Sequence, residues 1–182
     1  MKKDFDRWVD EKGPVFFKKI GIMPGQKILD FGCGWGSNTM AAAIAVAPSG
    51  FVYALEKDED SISRLLVSAG SRAIENIRVI ASGEMASIPV GSGELDGVLL
   101  YDVIHDHYFD RAGRKKLFME AGRVIKMKGL LSVFPHHIDD AGLGIIKAEI
   151  SGAGFIFRDM IRDTILHDSG LIIDSVYNFT RE

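Results

Sequence analysis

Short apolar runs alternate along the chain with stretches whose apolar positions recur every three or four residues. Residues 27–31, 51–55, 77–81, 95–100 and 130–134 are apolar runs bounded by Gly, Pro or charged residues, and they read as buried strands. Between them Ile62, Leu65, Leu66 and Ala69 fall at helical spacing, as do Leu117, Ala121, Val124 and Ile125, each set marking one buried stripe. Residues 37–47 are apolar almost all round and rich in alanine, the pattern of a helix pressed closely against its surroundings. A helix over 111–128 and a last one over 143–150 follow. Residues 155–165 and 171–179 then read as extended, separated by His167-Asp168-Ser169-Gly170, which predicts a terminal hairpin. Strand–helix alternation implies parallel strands joined by right-handed crossovers with helices on both faces. The expected fold class is therefore α/β: a doubly wound, seven-stranded, mostly parallel sheet with a C-terminal antiparallel hairpin.

Composition narrows the function classes. A length of 182 residues suits one domain over residues 1–182, of which 1–23 form a short helical segment. A net charge of -3 gives no general attraction to phosphate backbones, so nucleic acid is not an expected partner. The cations Arg111, Arg114, Lys115, Lys116, Arg123, Lys126 and Lys128 are expected on the solvent side of the 111–128 helix. The longest apolar run, 40–47, is far short of the roughly 20 residues that a membrane span needs. Residues 1–10 alternate charges and lack the apolar stretch of a secretory signal. With Cys33 as the one cysteine, an intrachain disulfide and a zinc–cysteine cluster are excluded, and a cytoplasmic setting is expected.

The chemistry is concentrated after the first strand, in Asp30-Phe31-Gly32-Cys33-Gly34-Trp35-Gly36, which leads directly into a helix. Glycines at alternating positions let the backbone turn tightly and approach a ligand. Dinucleotide, phosphate and adenosyl binders all use such a turn, so its neighbours decide. Glu56 ends the second strand, where a carboxylate can accept hydrogen bonds from both ribose hydroxyls. Glu84 follows the third strand and Asp30 precedes the glycines. Three carboxylates around one glycine loop would repel a pyrophosphate but suit a ligand carrying a sulfonium, an ammonium and an adenine amino group. S-adenosylmethionine is thus favoured over NAD. Ser37 also stands where a dinucleotide fingerprint would place glycine.

These residues resemble the class I S-adenosylmethionine-dependent methyltransferases, particularly the small-molecule branch that includes the ubiquinone-biosynthesis type. Residues 24–36, Pro-Gly-Gln-Lys-Ile-Leu-Asp-Phe-Gly-Cys-Gly-Trp-Gly, look like that family's first motif. Residues 83–89, Gly-Glu-Met-Ala-Ser-Ile-Pro, resemble its adenine loop, with glutamate where aspartate is commoner, and 95–100 resemble the strand that follows. The resemblance runs in order from about residue 24 to 134, and the hairpin suits the family's seven-stranded sheet. It implies that Gly32, Gly34 and Gly36 cradle the methionine and ribose portion, that Asp30 meets the ammonium, and that Glu56 holds the ribose. It also implies that Glu84 faces the adenine amino group while the Met85 backbone meets the ring. Cys33, Lys57 and Tyr101 complete the cofactor-binding set.

All five histidines follow strands on one expected side of the sheet: His105 and His107, His136 and His137, and His167. His105 or His107 is the candidate general base, with Tyr101 beside them as a second candidate catalytic group. Asp102, Asp106, Asp139 and Asp140 lie nearby and admit a divalent ion, but the spacing matches no defined site and no metal is assigned. Phe5, Trp8, Phe16 and Phe17, with Tyr101, are expected as an apolar lid and wall over the reacting methyl. The expected reaction is in-line displacement at the sulfonium methyl, yielding S-adenosylhomocysteine, with a small-molecule acceptor or a partner protein that completes the pocket. The rivals are a non-catalytic adenosyl-binding protein and an NAD-dependent oxidoreductase. Oligomeric state is not legible.

Overall fold

The computed structural model describes residues 2–81, 87–168 and 170–182. Its elements follow in the order α1 (Lys2–Arg7), a π-helical turn (Trp8–Lys12), α2 (Gly13–Lys19), β1 (Lys27–Phe31), α3 (Ser37–Val46), β2 (Phe51–Glu56), α4 (Glu59–Ser71), β3 (Ile77–Ala81), β4 (Leu95–Tyr101), α5 (Arg111–Val124), β5 (Ile125–Phe134), α6 (Asp140–Gly152), β6 (Phe155–His167) and β7 (Gly170–Arg181). The seven strands form one sheet in the order β3-β2-β1-β4-β5-β7-β6. Among the described residues no helix is long and apolar enough to cross a membrane.

Packing divides the chain into two compact units, Met1–Gly83 with Arg162–Asp174, and Glu84–Ile161 with Ser175–Glu182. In the first, β1, β2 and β3 pair in parallel, with Leu29 opposite Tyr53 and Ala54 opposite Val79. Seven of the ten residues of α3 are buried, in keeping with its alanine-rich sequence. A methyl group on Gly13 would come within 2.6 Å of the Ala41 side chain, so α2 meets α3 through glycine against alanine. The Asn76 side chain donates to the Ala43 and Gly50 carbonyls at 2.8 and 3.0 Å, tying the start of β3 to α3 and the turn after it. Trp8, Phe16 and Phe17 are buried against one another, and Trp8 donates to Asn38 Oδ1 at 3.1 Å. These three rings, expected over the reacting methyl, lie instead in the core of this unit, because the close approach of Gly13 to Ala41 and the Trp8–Asn38 hydrogen bond seat the segments that carry them on α3.

In the second unit β4 pairs in parallel with β5, and β5 pairs antiparallel with β7, Leu131 opposite Phe179. Among the described residues three helices begin on an aspartate that caps a free backbone N–H: Asp58 takes Ser61, Asp110 takes Gly113, and Asp139 takes Gly142. The helix expected over 111–128 ends at Val124, and Ile125 already pairs as strand with Leu95. Residues 126–129 bulge from the ladder before pairing resumes at Leu130 with Gly97, and Lys128 takes φ 66° there. Lys126 and Lys128 are therefore strand residues. Arg114 is buried rather than solvated, and Leu66 is 51% exposed rather than part of the α4 stripe.

Candidate functional site

The glycine turn grows out of the pairing of β1 with β2. The N–H groups of Gly32 and Cys33 both donate to the Leu55 carbonyl, at 2.9 and 3.1 Å, and Gly36 N–H closes on Cys33 O at 2.9 Å. Gly32, Gly34 and Gly36 have φ of 70°, 52° and 80°, values that side-chain-bearing residues rarely adopt. The glycines differ in surroundings. A Cβ on Gly36 would strike Leu65 at 2.1 Å, so Gly36 serves packing, whereas a Cβ on Gly34 would meet nothing within 4 Å. Gly34 thus presents bare backbone to open space.

Two carboxylates stand behind that turn. Asp30 is 2% exposed at the end of β1, and its Oδ2 accepts from Thr39 Oγ1 at 2.6 Å. Glu56, at the end of β2, accepts from Gly34 N–H at 2.9 Å through Oε2, and from Lys57 and Asp58 N–H at 2.8 and 3.1 Å through Oε1. Burial pushes Asp30 up to about 6; the Thr39 hydrogen bond opposes this and the negative charge of Glu56 adds to it. Among the described residues no cationic side chain is paired with either acid. The two acids, unpaired with a cation among the described residues, suit a sulfonium- and ammonium-bearing ligand and disfavour a pyrophosphate. The residues therefore fit S-adenosylmethionine: bare backbone at Gly34, an unneutralised buried acid, and a second acid on the turn.

Cys33 is buried, and its thiol is held well above the ordinary range by burial and then by the charges of Asp30 and Glu56, so it stays protonated and is no nucleophile. The Lys57 side chain is exposed. Trp35 is 49% exposed, with the Arg64 guanidinium 4.6 Å over its ring. Glu84 and Met85, expected at the adenine, lie outside the described residues.

In the second unit a cavity of about 470 Å³ is lined by His105 and His137 among others. His105 and His137 rings lie 5.6 Å apart, and His105 also meets Tyr108 at 4.7 Å. His107 stacks on His105 at 6.0 Å and is not a lining residue. Asp102, directly after β4, has φ 57°, and its Oδ2 lies 3.5 Å from His137 Nε2. Sequence reasoning named His137 only as one of five histidines; its acid partner depends on the meeting of the turns after β4 and β5, which spacing does not reveal. Tyr101 is buried, with its hydroxyl 3.0 Å from Ser132 Oγ, which donates to Asn178 Oδ1 at 2.8 Å. Because Ser132 spends its proton on Asn178, Tyr101 is the donor to Ser132.

The model of the methyltransferase domain matches residues 28–129 of this chain. The chain belongs to the methyltransferase-domain family. A probable cobalt-precorrin-6B C(15)-methyltransferase (decarboxylating) of Saccharolobus solfataricus is 39% identical over 79 residues, 43% of this chain and 40% of that protein. A demethylmenaquinone methyltransferase of a Geobacillus species is 31% identical over 83 residues, 46% of this chain and 35% of that protein. The chain thus spans less than half the length of these curated relatives. Among solved structures, a SAM-dependent methyltransferase from Aquifex aeolicus superimposes with a TM-score of 0.73 over 96% of this chain and 91% of that one, at 16% identity. The methyltransferase-domain fold, α/β with a mostly parallel seven-stranded sheet and antiparallel C-terminal strands, is as its strand pattern predicts. Matched residues 28–129 include the whole turn from Asp30 to Gly36 and Glu56.

Glu56→Ala removes the anchor of Gly34 N–H and, if Glu56 meets the ribose as expected from the sequence, the acceptor for its hydroxyls. Affinity for S-adenosylmethionine is expected to fall by about 1.5–3 kcal/mol, the range for hydrogen bonds to a charged group, as read by calorimetry.

Proposed function

We propose that this chain binds S-adenosylmethionine on the acidic glycine turn and transfers the methyl group to a small-molecule acceptor by in-line displacement, leaving S-adenosylhomocysteine. The carrying observation is Asp30, buried beside Glu56 with no cationic partner among the described residues, behind the open backbone of Gly34. Bound there, the cofactor supplies an electrophilic methyl on a positively charged sulfur. Asp30 and Glu56 hold its charged and ribose portions, and Gly34 admits it closely. Residues 1–182 act as a single functional domain in this reading, in a reducing, cytoplasmic setting suited to the lone thiol of Cys33.

The acceptor belongs in the cavity lined by His105 and His137. One of these imidazoles takes the acceptor's proton, and Asp102, 3.5 Å from His137, stabilises the imidazolium that results. Tyr101 acts as a positioning residue, its hydroxyl proton committed to Ser132. Whichever of His105→Ala and His137→Ala removes the base is expected to keep cofactor affinity and lower kcat by about 100-fold, whereas His107→Ala leaves the rate unchanged. Full rate in both of the first two variants would remove base catalysis and leave alignment as the mechanism.

The test of the function is transfer of labelled methyl from S-adenosylmethionine into fractions of a cell extract. Label is expected in a low-molecular-weight fraction. Binding of cofactor without label in any fraction would point to a non-catalytic adenosyl-binding protein, and label confined to macromolecules would overturn the small-molecule part.

A further inference from the structure

The cavity of the second unit carries its own recognition chemistry, centred on Arg114. This side chain is only 9% exposed and sits between two carboxylates of opposite character. Its Nε donates to Glu149 Oε2 at 3.1 Å, and Glu149, 8% exposed, is also held by Arg111 Nε at 3.2 Å. Its Nη1 donates to the Phe109 carbonyl at 3.2 Å and to Asp106. Asp106, by contrast, is 91% exposed. An ion pair whose acid stands in water contributes little, so this arm of the guanidinium is readily exchanged.

We infer that this cavity binds a monocarboxylate with an apolar body, whose carboxylate takes the place of Asp106 on Arg114. The guanidinium is a planar fork that matches a carboxylate, and among the described residues its Nη2 has no hydrogen bond. The displaced Asp106 carboxylate turns into water, so a monocarboxylate adds one charge beside a guanidinium that stays paired. A dianionic phosphate would add twice that charge beside Glu149 and the lining Asp139. The remaining wall includes Ile138 and Ile145, which suit hydrocarbon, while His105 and His137 stand at the polar side. A volume of about 470 Å³ is in the range of small-molecule sites. Identifying this ligand with the methyl acceptor rests on the transferase reading; the recognition itself does not.

The test is calorimetry on the full chain with octanoate, and with octanamide as its uncharged counterpart. Octanoate is expected to bind and octanamide to bind at least tenfold more weakly, since it cannot pair with the guanidinium. Asp106→Ala removes the competitor from an exposed position where folding is not at risk, and should tighten octanoate binding about two- to fivefold. Arg114→Lys should weaken it about tenfold by losing the fork. Equal binding of acid and amide, no binding of either, or an unchanged octanoate affinity in Asp106→Ala would overturn the inference. S-adenosylmethionine titrated into the same samples separates the two readings: octanoate binding without cofactor binding upholds this site and sinks the transferase, and the reverse sinks this site alone.

Discussion

Gly34→Val is expected to abolish binding of S-adenosylmethionine and of S-adenosylhomocysteine, a loss of more than about 100-fold, in a chain that still folds. Gly34 has φ 52° and a Cβ placed on it would meet no atom within 4 Å, so a valine side chain points into the space where a ligand lies against the turn. The left-handed backbone costs a residue with a Cβ about 1–2 kcal/mol, which lowers the melting temperature without unfolding a domain of ordinary stability. The contrast with Gly36 makes the position informative. There a Cβ would lie 2.1 Å from the buried Leu65 side chain, and a substitution would report on packing. Calorimetry and a thermal melt on Gly34→Val read the two quantities separately. Retained affinity with a normal melt would show that this turn is not the cradle.

The second large effect is a gain of stability bought with function. Asp30 titrates at about 6 in the folded chain against an ordinary 3.8, with burial as the main cause. A folded pKa raised above the unfolded one means that the folded state binds more protons between those values. The ligand-free chain is thus most stable, with respect to this group, below about pH 4, and it loses stability as pH rises through 6. The full difference is about 3 kcal/mol above pH 7, by the free-energy equivalent of the shift. Asp30→Asn keeps an oxygen for Thr39 Oγ1 and removes the buried charge. Its melting temperature should exceed that of the unmodified chain at pH 7.5, and the gap should close as pH is lowered to 4. The same substitution should cost most of the affinity for S-adenosylmethionine, since no charge is left to meet the ligand's cation. A melting temperature unchanged at pH 7.5 would show that the folded chain already neutralises Asp30.

Much of this architecture is legible in the sequence because it is local. The strand runs at 27–31 and 77–81 coincide with β1 and β3, the alanine-rich stretch forms the buried α3, the two acids stand at the ends of β1 and β2, and the glycines follow β1. What is not legible depends on partners far along the chain. Helical spacing carries on through Val124 and Ile125, yet pairing with Leu95 and a bulge over residues 126–129 turn Ile125 into strand. Arg114 sits among the cations of a helix that looks solvated; its burial follows from Glu149, thirty-five residues away on α6. The aromatic rings of the first helices are expected as a lid; the close approach of Gly13 to Ala41 and the Trp8–Asn38 hydrogen bond, which spacing does not reveal, put Trp8, Phe16 and Phe17 in the core. His137 meets Asp102, a residue with left-handed backbone directly after β4, across two turns whose approach spacing does not reveal. Asp139, considered in sequence as a metal ligand, is the cap of α6.

The measurement that bears most directly on the account is titration calorimetry of the full chain with S-adenosylmethionine at pH 7.5 and at pH 5, with NADH alongside. Because the ligand's cation favours ionised Asp30, which titrates at about 6, affinity should fall about tenfold between the two pH values, and NADH should not bind. No heat with S-adenosylmethionine or S-adenosylhomocysteine at either pH, or NADH binding as tightly as they do, would contradict the assignment of the Asp30–Glu56 turn as an adenosyl-sulfonium site.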